Sequence, residues 1–158
     1  MSPFRTRIAG LAFAVIAVIA GLPLIAATSI TAANAADNGV PSRALIILTS
    51  PSLQTQGMAM VLGNAMQAGG TPVNVLLCDK AGDLALANTQ SPPLKPKNVT
   101  PEQLMAKLID GGASVSVCAL YLPNSDHAKT DLRTGIDVAT PPEMAALMTQ
   151  AGSRVFSF

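Results

Sequence analysis

Cys78, Cys118 and His127 are the side chains of this 158-residue chain best suited to covalent or proton-transfer chemistry. Cys118 closes the apolar run Ser114-Val115-Ser116-Val117-Cys118-Ala119-Leu120. A thiol at the mouth of a strand can act as a nucleophile if backbone N–H groups or helix N-termini favour its thiolate. A small hydrophobe packed in the core is the competing reading. The same two readings stand for Cys78, and a Cys78–Cys118 disulfide is a third, requiring adjacent strands and Cα atoms within roughly 7 Å. His127, in Ser125-Asp126-His127, follows the Cys118 strand and is either a solvated surface group or a base for that thiol.

Other chemistries find little support. There is no G-x-G-x-x-G, no Walker A loop, no G-x-S-x-G elbow and no C-x-x-C. One histidine excludes a His-rich zinc site, and nine scattered acids single out no carboxylate pair. Met58, Met60 and Met66 suggest Cu(I), but Met58 and Met66 fall on the stripe that the helical periodicity assigns to the core. No metal or cofactor is expected.

The elements that must position these residues alternate. Ala44–Leu48 is a continuous apolar run of strand length, as suits a strand buried on both faces. From Ser52 the period changes: Met58, Val61, Leu62, Ala65 and Met66 repeat at helical spacing, and Gly69-Gly70 stops the helix. Pro72–Cys78 is a second strand, Asp83–Ala87 a short helix, and the Pro-rich run 88–98 a loop. Thr100-Pro101-Glu102-Gln103 has the form of a capping box, and opens a helix ending at Gly111-Gly112. After the Cys118 strand come a polar stretch, a short strand over 135–139, a helix from Thr140 with Met144, Leu147 and Met148 inward, and the strand Arg154–Phe158. This order predicts a mostly parallel five-stranded sheet with helices on both faces, a three-layer α/β/α arrangement. Chemistry in such sheets lies at the carboxyl ends of the strands, where both cysteines fall.

Residues 1–35 read as a cleavable secretory signal: Arg5 and Arg7, an apolar run from Ile8 to Ala27, then the Ala33-Asn34-Ala35 site. The apolar run is also long enough for an uncleaved anchor. Cleavage would leave a single domain over 36–158 in a periplasmic or secreted location, an oxidising compartment, with no membrane attachment. Its eight Lys and Arg stand against nine acids, a formal charge of −1. With five aromatics among all 158 residues, it has no footprint for nucleic acid.

The chain resembles the DsrE/DsrF-like (YchN-like) family of small sulfur-relay proteins. The likeness runs from Ala44 to Phe158: the first strand with its Thr49-Ser50 loop, the segment Val115–Asn124, and the ending Pro141–Leu147 through Arg154–Phe158. It implies a flavodoxin-like fold and assembly into trimers or hexamers. It further implies that Cys118 holds a persulfide and passes sulfane sulfur between donor and acceptor proteins, as a carrier rather than a turnover enzyme. Some members carry a second cysteine three residues later; here that position is Tyr121. A non-catalytic binding or assembly module with structural cysteines is the competing function. For activation of Cys118 the candidates are N–H groups near Asn124 and Ser125, His127, Lys129 and Arg133, with the backbone groups foremost.

Overall fold

The structure, a computed structural model, describes residues 43–158. The expected signal segment lies outside them. Five strands, β1 (Arg43–Leu48), β2 (Val73–Leu77), β3 (Ser114–Cys118), β4 (Ile136–Ala139) and β5 (Ser153–Ser157), form one sheet in the order β4-β3-β2-β1-β5. Every pairing is parallel. The helices are α1 (Leu53–Ala68), α2 (Pro101–Asp110) and α3 (Pro141–Thr149). This is the flavodoxin-like three-layer α/β/α fold.

The chain direction decides which face each helix covers. β1, β2 and β3 are laid down side by side through α1 and α2, whereas α3 must carry the chain from one sheet edge, β4, to the other, β5. Right-handed crossovers in opposite directions put their helices on opposite faces. The α1/α2 face closes over Ile46, Leu48, Val75, Leu77, Val115 and Val117, each no more than 3% exposed. The other face receives only α3, with a smaller cluster of Leu45, Leu76 and Ala139.

Local signals set the ends of α2. Thr100 Oγ1 accepts from the Gln103 N–H at 3.2 Å and Gln103 Oε1 from the Thr100 N–H at 3.0 Å, closing the capping box, with Pro101 in the first turn. The 88–99 loop is pinned to this helix by Glu102, whose Oε1 accepts from the Ser91 N–H and hydroxyl.

The structure corrects the face of α1. Met58, Val61 and Leu62 are 54%, 47% and 41% exposed, so Met58 is not core; the buried positions are Gln56, Gly57, Ala59, Met60 and Gly63. Close packing explains this. A Cβ on Gly63 would stand 3.1 Å from Ile46 Cδ1 and 3.2 Å from Leu108 Cδ1, and one on Gly57 would overlap Leu94. The inward polar side chains meet backbone carbonyls: Gln56 Nε2 donates to Ser50 O, Asn64 Nδ2 to Leu104 O, and Gln67 Nε2 to Leu108 O. Size and hydrogen bonding, rather than hydropathy, choose this face. α3 differs from expectation in the same direction: none of its residues is buried, Met144 and Leu147 are half-buried, and Met148 is 47% exposed.

The corrected face gives opposite expectations for two neighbouring residues. Met60→Ala should cost about 2–5 kcal/mol of unfolding free energy, as for a fully buried side chain. Leu62→Ala should stay within about 0.5 kcal/mol. Urea denaturation of both variants checks this, and equal losses would restore the hydropathy-based face.

Candidate functional site

Cys118 is the last residue of β3, where the chain turns away and the Tyr121 N–H donates to Cys118 O at 2.9 Å. It borders a cavity of about 770 Å³ at the carboxyl ends of β2 and β3, together with Asp79, Lys80, Asp83, Tyr121, Asp126 and His127. The structure thus brings Cys118 and His127 to one cavity, as their order in the sequence suggested.

Cys78 joins them by register. Leu77 pairs with Val117 in the parallel ladder, so the next positions, Cys78 and Cys118, face each other on the α3 side of the sheet. Both thiols are free and half-buried. Burial first, then a hydrogen bond to Cys118 and negative charge on Cys118 and Asp79, push the Cys78 thiol up to about 12. Cys78 therefore keeps its proton beside Cys118. It does not border the cavity.

Two polypeptide segments wall the cavity. A short 3₁₀ helix, Asp79–Ala85, replaces the predicted helix at 83–87. Opposite it runs the loop from Ala119 to Thr134, with 3₁₀ turns at Leu122–Asn124 and Lys129–Asp131. Tyr121 clamps the two: its hydroxyl donates to Asp83 Oδ1 at 2.6 Å, its ring lies where a Cβ on Gly82 would be, and His127 stacks against it with centroids 6.5 Å apart. Burial and the Asp83 carboxylate raise the Tyr121 phenol, so it stays a donor. Arg133 ties the end of this loop back to the segment after β2, donating to Leu84 O from Nε at 3.0 Å and to Thr89 O from Nη2.

These contacts revise the expected activation of Cys118. The Asn124 and Ser125 N–H groups are spent on Tyr121 O and Leu122 O inside the turn. Lys129 pairs with Asp137 at 3.5 Å on the surface, and Arg133 is committed to carbonyls. His127 remains in the cavity, with Nδ1 4.0 Å from Asp131 Oδ2. Lys80, Asp83 and Tyr121 were missed in sequence, although Asp79-Lys80 directly follow a strand end, where ligands gather in such sheets.

The thiol pair predicts unequal reactivity. At about pH 8, iodoacetamide should label Cys118 and spare Cys78, which does not line the cavity and holds its proton. Folding raises the Cys78 pKa from 9.0 to about 12, so its contribution is complete below about pH 9 and is lost as pH rises toward 12. Cys78→Ala should flatten that alkaline loss in pH-dependent unfolding, and an unchanged profile would disprove the assignment.

No protein-family model matches the chain, and no curated protein matches it in sequence. Solved structures do match in fold. The ychN protein from E. coli superposes with a TM-score of 0.56 at 19% identity, over 73% of this chain and 99% of that one. A protein of unknown function from Methanobacterium thermoautotrophicum, MTH1491, gives 0.56 at 12% identity, over 73% and 98%. At these identities the likeness is one of fold, and it is the three-layer α/β/α fold that the described residues share with both.

Proposed function

We propose that the protein is a sulfur carrier that holds a persulfide on Cys118 and passes the sulfane sulfur to a partner thiol. The observation that supports it is the setting of Cys118: the last residue of a strand, bordering a cavity at the carboxyl ends of β2 and β3 and facing a second thiol on the neighbouring strand. The Cys78 S–H can stabilise negative charge on the Cys118 sulfur without competing for the incoming sulfur. His127 and Lys80, on the cavity wall, are the groups able to hold or move a proton beside an arriving thiol. The DsrE/DsrF-like fold is consistent with this reading.

Assembly into a homo-oligomer, a trimer or hexamer, belongs to the same proposal, as do a periplasmic location after cleavage and donor and acceptor proteins as partners. The sparse cover on the α3 face supports assembly. β5 is an edge strand with Val155 40% exposed, and Met148 adds a second exposed apolar side chain. Such an edge is normally paired or covered. That face also favours the competing reading, a binding or assembly module with structural cysteines.

Incubation with inorganic polysulfide should add one sulfur atom to the wild type by intact mass, and Cys118→Ser should abolish the adduct. Adduct formation unchanged in Cys118→Ser would refute the carrier. Native mass spectrometry of exported protein should show subunits beginning at Ala36 and assembled beyond a monomer. Full-length subunits would refute cleavage, and a monomer at micromolar concentration would refute assembly.

A further inference from the structure

We infer that Cys78 and Cys118 form a reversible disulfide, and that hydrogen sulfide opens it to load Cys118 with its sulfane sulfur. This rests on the carrier reading above and adds to it a sulfur source and a role for Cys78.

The geometry carries the pair. The two residues stand at facing positions one step beyond the Leu77–Val117 pair of a parallel ladder, on the same side of the sheet. Neighbouring strands lie about 4.8 Å apart, inside the window of roughly 4.4–6.8 Å between Cα atoms that a disulfide spans. Both side chains pack against the same small cluster of Leu45, Leu76 and Ala139. Both sit at strand ends, Cys78 just past β2 and Cys118 last in β3, so closing the bond need not distort the interior of the ladder.

The cavity sets the direction of attack. Displacement at a disulfide sulfur proceeds with the nucleophile opposite the leaving sulfur. Cys118 borders the cavity and Cys78 does not, so an entering sulfur approaches the pair from the Cys118 side, with Cys78 as the leaving group. The wall carries Asp79, Asp83 and Asp126 against Lys80 and His127, a balance that favours a small uncharged species over an anion.

The step balances. H2S enters uncharged and gives one proton to water or the cavity wall; the resulting HS⁻ attacks Cys118 Sγ, one S–S bond forms and the Cys78–Cys118 bond breaks. The electron pair of the broken bond goes to Cys78 Sγ, which takes one of the two protons, while the other stays with the Cys118 persulfide. The sulfide sulfur is oxidised to the sulfane level and Cys78 is reduced to a thiol. A low-molecular-weight disulfide, such as oxidised glutathione, re-forms the pair after the sulfane sulfur has left. Cys78 holds its proton tightly, which makes it a poor nucleophile toward the persulfide. The sulfur therefore stays on Cys118 until an external thiol arrives.

The test uses the full chain oxidised with glutathione disulfide, then treated with sodium sulfide, alkylated and peptide-mapped. The expected result is loss of two hydrogens on oxidation, followed by one added sulfur on the Cys118 peptide and a newly alkylated Cys78. Cys78→Ser should form no internal bond, so any sulfur it takes from sulfide should come only with loss of a glutathione adduct, while it should still load Cys118 from polysulfide. A stable glutathione adduct in place of the internal bond would overturn the inference, as would sulfur found on Cys78. If Cys78→Ser loads from polysulfide while oxidised wild type takes nothing from sulfide, the inference falls and the carrier stands. If neither loads, both fall.

Discussion

The parallel register between β2 and β3 is the constraint on which the rest of the site depends. Val75 faces Val115 and Leu77 faces Val117, and all four side chains turn toward α1 and α2, where they are at most 3% exposed. Burying each is worth roughly 1.5–3 kcal/mol relative to exposure. A slip of one residue would turn this row toward the thinly covered face and place Asn74, Leu76, Ser114 and Ser116 under α1 and α2 instead. The same alternation that holds the valines inward sends Cys78 and Cys118 to the opposite face, side by side. Core packing and the thiol pair are therefore consequences of one register.

The route of the chain makes the two faces unequal. Two helices and the 3₁₀ segment close one side of the sheet, while a single nine-residue helix crosses the other from edge to edge. No helix follows β3 directly; the chain runs through a polar loop to β4. That loop is free to build one wall of a cavity at the carboxyl ends of β2 and β3. Tyr121–Asp83 and Arg133 tie it to the segment after β2, so the cavity takes its shape from hydrogen bonds between two connections rather than from the sheet.

The electrostatics follow from the same arrangement. The turn after β3 spends its Asn124 and Ser125 N–H groups on its own carbonyls. What remains is the neighbouring thiol, held protonated by burial and by Asp79, together with His127 and Lys80 on the cavity wall. For the proposed sulfur carrier, a site so composed favours thiol exchange between neighbouring cysteines.

The alternation of elements, the Thr100 cap, the glycine stop at Gly69 and the placement of Cys118 at a strand end were legible because each is written in a few consecutive residues. Strand hydropathy, capping chemistry and turn residues act over one or two turns of chain, so a linear reading captures them. The buried face of α1 was not legible: glycine and amide side chains won it by close approach to Ile46 and Leu108 and by bonds to the carbonyls of α2, which hydropathy does not count. Nor could the sequence show that Cys78 faces Cys118, or that Tyr121 reaches Asp83 across 38 residues. Strand order, register and loop closure decide those contacts, and they are settled only when distant segments pack together.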